Sequence, residues 1–369
     1  MQDVVLVLVI VVALAFDFTN GFHDTANAMA TSIATKALPP RAAVGLSAVL
    51  NFVGAFVSLE VAATIAEDIV KADAVTPTVI FAGLLGAIFW NLATWRLGLP
   101  SSSSHALIGG VVGAVIVAAG FDAVLADGIV GEVLAPALLA PILAASVAGL
   151  ATFLVYKIAG RRRSRSDEVQ RGFKLGQLAS ASLVSLSHGT NDAQKTMGII
   201  TLALVANGTL SGESPDVPLW VVIASASAIA GGTFIGGWRI IRTLGHRLFE
   251  IEPPQGFAAE TSSAVVILAA SHAGFPLSTT HVTSGGVMGA GLGKRAADVK
   301  WGVAGQMATA WLLTLPAAGA LAAAIYGVTE LLGPDTAGPI VVGAIAAAAA
   351  IALFVQVQRS PDHVTSADV

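Results

Sequence analysis

The chain of 369 residues contains no cysteine, so a disulfide framework and a thiolate metal site are both excluded. Charge is scarce. Asp, Glu, Lys and Arg make up 11% of the residues, against roughly 25% in soluble domains. Hydrophobic residues make up 55% and the mean hydropathy is +0.80, which places the chain in a lipid bilayer. Basic tracts are lacking except for one short cluster, Arg161, Arg162, Arg163 and Arg165, so no nucleic-acid partner is expected. The formal charge of −4 says nothing further about partners. No Lys or Arg precedes the apolar run of the first sixteen residues. A secretory signal peptide needs a basic leader, so this run reads as a first spanning helix that stays.

What is present is present twice. Gly21-Phe22-His23-Asp24-Thr25-Ala26-Asn27-Ala28-Met29 returns as Gly189-Thr190-Asn191-Asp192-Ala193-Gln194-Lys195-Thr196-Met197, with Gly, Asp and Met in register. Pro100-Ser101-Ser102-Ser103-Ser104-His105, followed by Gly109-Gly110 and Gly113, returns as Pro276-Leu277-Ser278-Thr279-Thr280-His281, followed by Gly285-Gly286 and Gly289. All four are polar islands in apolar surroundings. A polar site duplicated within a membrane chain marks a transporter built of two repeats.

Eleven apolar segments recur, at about 4–30, 42–66, 78–97, 101–119, 129–157, 175–206, 218–238, 256–274, 276–292, 301–326 and 340–358. Their lengths lie near the roughly 20 residues that cross a bilayer as a helix. The loops between them alternate in charge. Lys36 and Arg41 follow the first segment; Glu67, Asp68, Lys71 and Asp73 follow the second; Arg96 ends the third; Asp122 and Asp127 follow the fourth; the arginine cluster follows the fifth. In the second half, 207–217 holds Glu213 and Asp216 and no basic residue. Arg239, Arg242 and Arg247 come next, then Lys294, Arg295 and Lys300, and finally Arg359. The basic loops all fall on one side, the cytoplasmic one by the positive-inside rule, and the C-terminus lies there too.

Five segments per repeat is an odd number, so equivalent loops land on opposite sides. The basic loop after the first segment corresponds to acidic 207–217, and acidic 66–77 corresponds to basic 239–252. The expected architecture is an all-α integral membrane protein of two inverted-topology repeats, each of about five transmembrane segments. Residues 1–158 form the first repeat, 159–174 a cytoplasmic linker, 175–326 the second, inverted repeat, and 327–369 a final transmembrane helix and cytoplasmic tail. The linker arginines read as a solvated connector, with contact to lipid phosphate as the alternative.

Each Pro-Ser/Thr island reads as the start of a half-helix. Pro suits the first helical position, which Pro100 and Pro276 are expected to occupy, and a helix N-terminus presents N–H donors and partial positive charge to an anion. Ser101, Ser102, Ser103, Ser104, Ser278, Thr279 and Thr280 are therefore the candidate anion-binding residues. The Gly-Gly pairs beyond each His admit close backbone approach. Asp24 and Asp192 lie inside apolar segments, where a carboxylate is costly and functional by default. The preceding Gly21 and Gly189 suggest a break in each helix, and oxygen ligands at such a break suit Na⁺, Mg²⁺ or a proton.

The two copies differ usefully. His23 aligns with Asn191 and Asn27 with Lys195. A buried ammonium at Lys195 stands where a bound cation would otherwise sit, and His23 titrates near neutral pH in isolation; both point to proton coupling, with a plain Asp192–Lys195 ion pair as the alternative. Glu260 and Glu60 are further acids in apolar stretches. Glu260 pairs by repeat with Leu84, so any role it has is asymmetric. His188 and His272 read as structural histidines. Trp90, Trp95, Trp220, Trp238, Trp301 and Trp311 lie mostly near segment ends, as interfacial anchors do.

The repeated Gly-x-His/Asn-Asp motif and the paired Pro-Ser/Thr-His motif resemble the inorganic phosphate transporter (PiT) family, from Asp17 to about Lys300. The stretches Asn20–Ala28 and His188–Lys195 are most similar to the bacterial low-affinity branch. The resemblance implies import of inorganic phosphate, often as a neutral metal–phosphate complex, driven by protons. It implies no resident cofactor or fixed metal, a homodimer in the cell membrane, and re-entrant or broken helices at both islands, meeting at mid-membrane around a substrate-holding core. Sodium-coupled relatives carry Asn at the position of His23 and a small or amide residue at that of Lys195, so a full set of sodium sites is not expected. Asp24 and Asp192, with Asn27, Asn191, His23, Lys195 and Glu260, are the candidate residues for the coupling cation or proton.

Other readings compete. A sodium-coupled phosphate symporter and a sulfate permease of the same fold are the alternatives within the class, although sulfate has no proton to offer the carboxylates facing it. An anion channel would not concentrate its solute. A hydrolase built on Ser104 with His105, or Thr280 with His281, is disfavoured because adjacent helical residues do not face each other.

Overall fold

The computed structural model describes residues 2–62, 69–71, 74–163, 166–210, 216–334, 336–359 and 364–369. Its main helices are α1 (Gln2–Ala34), α2 (Pro40–Gly54), α3 (Pro77–Leu97), α4 (Ser103–Ala119), α5 (Ala135–Arg163), α6 (Asp167–Ala206), α7 (Leu219–Ile235), α8 (Trp238–Arg242), α9 (Pro253–His272), α10 (Thr279–Lys294), α11 (Trp301–Leu331) and α12 (Ala337–Gln358). Among the described residues no strand forms; one isolated bridge joins Val70 to Val124. The acidic loop residues Glu67, Asp68, Asp73 and Glu213 lie outside the described residues.

Local chemistry sets the helix ends that matter. Thr76 caps α3, accepting from the Val79 N–H at 3.2 Å. Gly98 ends that helix at φ 66°, a left-handed conformation that glycine adopts without strain. Ser102 and Ser278 cap α4 and α10, accepting from the N–H of His105 at 3.1 Å and of His281 at 3.2 Å. The island helices therefore start at Ser103 and Thr279. Pro100 and Pro276 lie outside the first turn where the sequence placed them, because the serine hydroxyl supplies the cap.

One further expectation fails. No break occurs at Gly21 or Gly189; α1 and α6 run unbroken through both motifs. These glycines admit a crossing helix instead. A Cβ on Gly21 would lie 2.2 Å from the Ile229 carbonyl oxygen of α7, and one on Gly189 2.2 Å from the Asn51 carbonyl oxygen of α2. The segments are also not all full spans. Five described helices are long and apolar enough to cross a membrane, or six if α7 and α8, bent by 60°, count as one. α2, α4 and α10 have 15, 17 and 16 residues, about 22–26 Å at 1.5 Å per residue, short of a roughly 30 Å hydrocarbon core. The stretch 159–174 is also largely helical, since α5 runs to Arg163 and α6 begins at Asp167. Asp167 and Glu168 in the first turn of α6 favour that start.

α3 and α4 pack as a helical hairpin, as do α9 and α10, with the Ser/Thr islands at the tips. The packing is exchanged between the two halves. α4 lies on α11 as α10 lies on α5; α1 lies on α7 as α6 lies on α2; α3 meets α1 and α11 as α9 meets α6 and α5. Small residues make the matched contacts. A Cβ on Gly113 would meet the Gly319 carbonyl oxygen at 2.2 Å, and one on Gly289 the Ala145 carbonyl oxygen at 2.1 Å. Such backbone-to-backbone approach is how helices associate in lipid, where no hydrophobic driving force acts between them.

The most apolar window of α3 is 83% buried, whereas those of α5, α11 and α12 are only 22%, 22% and 17% buried. The outer helices show Leu138, Leu139, Ile158, Leu312 and Leu331 outward, an apolar surface suited to lipid. The inner helices enclose a polar centre. α12 packs on α3 through Phe354, stacked on Trp95 at 5.7 Å, and Trp95 in turn meets Phe22 at 5.2 Å.

Candidate functional site

α1 and α6 cross at the centre and bring the two repeated motifs together. Asp24 accepts from the Ser103 hydroxyl at 2.6 Å and lies 2.6 Å from His23 Nδ1. Asp192 pairs with Lys195, lies 2.8 Å from His188 Nε2 and accepts from the Thr279 hydroxyl at 3.0 Å. Each aspartate is thus joined to one island: Asp24 to the first, Asp192 to the second. His188 Nε2 is also 4.0 Å from Asp24 Oδ2, so one imidazole lies between both carboxylates. Asp24, His188 and Asp192 offer ligand atoms within 4.8 Å of one another, close enough to share one small cation. All are buried.

The hairpin tips meet in the same place. Lys195 reaches across to donate to Ser104 Oγ at 2.6 Å and to the Leu277 carbonyl at 2.7 Å, and Ser104 itself donates to Leu277 O at 3.1 Å. One ammonium therefore bonds both tips and Asp192. The rings of His105 and His281 lie edge to face at 4.7 Å. α11 supports the tips, with Trp311 Nε1 donating to the Pro100 carbonyl at 2.9 Å and its ring 4.4 Å from His281.

The remaining candidates divide. Asn27 Nδ2 donates to Thr280 Oγ1 at 2.9 Å, and Asn191 Nδ2 to Ser271 Oγ at 2.9 Å. The side-chain oxygens of both are buried and have no hydrogen-bond partner. Ser101 donates to Thr94 Oγ1 at 2.8 Å, beside His23 Nε2 at 3.2 Å. Ser102 and Ser278 serve as caps. Glu260 stands apart. Its carboxylate accepts from Thr31 and Ser32 at 2.6 Å each, from Ser180, and from Gln177 at 3.2 Å. This knot ties α9 to the last turn of α1 and the early turns of α6, two turns beyond Asp24. Glu60 is exposed.

Sequence reasoning gave no role to Asn20 or Thr94 and read His188 as a structural histidine. Asn20 Oδ1 accepts from Ser103 at 2.8 Å. The signal for His188 was its spacing: four residues before Asp192, it occupies the same helix face.

The chain is thus a helical, multi-pass membrane protein whose two halves each bring one carboxylate and one hydroxyl-capped helix start to a common buried centre. It belongs to the phosphate transporter family, whose model matches residues 20–322. A probable low-affinity inorganic phosphate transporter of Mycobacterium leprae is 55% identical over 359 residues, covering 97% of this chain and 86% of the relative. One of Bacillus subtilis, with the same description, is 44% identical over 330 residues, covering 88% and 97%. Among solved structures, "The sodium-dependent phosphate transporter" matches with a TM-score of 0.74 at 25% identity, covering 89% of this chain and 99% of that one.

Proposed function

We propose that the protein is a secondary symporter that imports inorganic phosphate, alone or as a neutral metal–phosphate complex, driven by the proton gradient. The observation that carries this reading is the meeting of two Ser-capped helix N-termini beside Lys195, one from each half. The N–H ends, the hydroxyls of Ser103, Ser104, Thr279 and Thr280, and the ammonium supply donors and positive charge to a tetrahedral oxyanion from two sides. Asp24 and Asp192 hold the coupling proton or accept one from the phosphate. Phosphate suits the site better than sulfate, because it brings a proton to the carboxylates. Lys195 supports protons over sodium, since a covalently fixed ammonium already neutralises Asp192.

Labelled phosphate uptake into proteoliposomes tests this. Accumulation should follow an imposed proton gradient and persist when choline replaces sodium; collapse in choline would instead favour the sodium-coupled symporter, the coupling named for the solved relative. Ser103→Ala with Ser104→Ala, and Thr279→Ala with Thr280→Ala, should each weaken phosphate binding by about 1–3 kcal/mol per lost donor. An island freely replaceable by alanine would remove the two-sided site.

The reading places 1–158 and 175–326 as inverted repeats in the cell membrane. The 159–174 connection and the C-terminal tail lie in the cytoplasm, and two chains form a homodimer. The exchanged packing of the halves supports the pseudo-two-fold relation, and the charge alternation of the loops supports the inversion. In this cysteine-free chain, single cysteines at Ala126 and Thr209 should react with an impermeant maleimide from outside, and one at Asp298 only after the cytoplasmic face is opened. Labelling of Thr209 and Asp298 positions from the same side would break the inversion.

A further inference from the structure

Asp17 is fully buried on α1, seven residues before Asp24, or about 10 Å along the helix. Neither carboxylate oxygen has a hydrogen-bond partner. The hydroxyl that faces it, Thr196 on α6, is likewise buried and is the side chain placed to bond it. The other two acids of the centre are satisfied: Asp24 by His23 and Ser103, Asp192 by Lys195, His188 and Thr279. An ionised carboxylate without a partner in a membrane interior is strongly disfavoured. A carboxylic acid is not, and its O–H can donate to the open lone pairs of Thr196 Oγ1.

We propose that Asp17 is a proton-binding site, separate from the Asp24–His188–Asp192 cluster, at which the coupling proton is first taken up. The inference rests on the proton-coupled reading given above. Asp17 lies at the middle of α1, two turns nearer than Asp24 to the N-terminal end, the outer end in that topology, so it meets an incoming proton before Asp24 does. Proton uptake converts its carboxylate to the acid that donates to Thr196; release towards the cytoplasm restores the carboxylate. The charges that face it are those of α6, namely His188, Asp192 and Lys195. α7, which also packs on α1, contributes no titratable residue. Arg96 of α3 follows the stretch beside His23, and Glu260 of α9 bonds the far end of α1, so neither faces Asp17. Loading Asp17 removes the third negative charge from a centre with one lysine, which favours entry of an anion.

The repeat is asymmetric here. Asp17 corresponds to Ser185, which bonds Ser47 at 3.0 Å. A repeat-based reading of the sequence therefore passes over it.

The test uses purified full-length protein in liposomes, with labelled phosphate followed in two modes. One mode is uptake driven by an inward proton gradient of one pH unit, where one coupled proton supports about a tenfold accumulation. The other is phosphate–phosphate exchange at equal pH. Asp17→Asn should lower accumulation about tenfold, to near equality of the two sides, while exchange continues. Asp17→Glu should restore accumulation. Wild-type accumulation by Asp17→Asn, or equal loss of exchange and accumulation in a variant that elutes as folded protein, would overturn the proposal. Should Asp17→Asn not fold, Thr196→Val carries the test: a shifted pH profile of uptake supports the site, and an unchanged one overturns it. Wild-type liposomes run alongside separate the two readings. Wild-type uptake that ignores the proton gradient defeats proton coupling itself. Proton-driven wild-type uptake with an unaffected Asp17→Asn defeats only the Asp17 assignment.

Discussion

Asp24→Asn and Asp192→Asn should each reduce concentrative phosphate uptake to the level of empty liposomes, with the protein still folded in the membrane. The two residues are pseudo-equivalent, and each accepts a hydroxyl from a different hairpin tip: Ser103 for Asp24, Thr279 for Asp192. Asparagine preserves size and one acceptor oxygen, so both tips keep a hydrogen-bond partner. What it cannot supply is negative charge for a cation or a base for the substrate's proton. Asp24→Asn also leaves His23 without its carboxylate at 2.6 Å, and Asp192→Asn leaves Lys195 as a buried ammonium bonded only to neutral oxygens. Radiolabelled uptake under an imposed proton gradient measures the effect, with size-exclusion elution in detergent as the folding control. Normal accumulation by either variant removes that residue from the transport step.

Lys195→Met should abolish uptake and also lower stability. The methionine keeps the length of the aliphatic stem and removes the charge. Asp192 then loses its one lysine partner at a fully buried position. Breaking a buried pair from one side typically costs about 3–5 kcal/mol; His188 stays 2.8 Å from Asp192, which places the loss at the lower end of that range. Thermal unfolding followed by loss of monodisperse elution reads the stability arm, and liposome uptake the functional arm. If Asp192→Asn is combined with Lys195→Met, the stability loss should shrink, since no lone charge remains; transport should not return. A Lys195→Met protein that accumulates phosphate normally would show that the ammonium is a plain ion-pair partner.

Much of this centre was legible in the residues. The duplicated islands, the paired aspartates and the divergent positions His23 and Lys195 all converge in space, and Gly-Gly pairs do meet facing backbones, as at Gly110, where a Cβ would lie 2.2 Å from the Gly83 carbonyl oxygen. What sequence could not separate was why a glycine is present. Gly21 and Gly189 read as helix breaks, whereas α7 and α2 press against them as crossing helices and α1 and α6 stay whole. His188 read as a structural histidine, since the repeat gives it no partner: the equivalent position is Asn20, a different residue type. Glu260 illustrates the converse. Its isolation in an apolar stretch marked it as special, but the four side chains that satisfy it come from α1 and α6, contacts no local pattern encodes.

An ammonium has three protons to donate, and at Lys195 all three are engaged: by Asp192, by Ser104 of one hairpin and by the Leu277 carbonyl of the other. The nitrogen has nothing left to offer a newcomer. An arriving oxyanion can win it only by displacing an existing acceptor, and two of the three acceptors are the hairpin tips. In the symporter proposed above, recognition of the anion and parting of the tips are then one exchange at one nitrogen, so the bond that joins the tips would also be the one that reads the cargo.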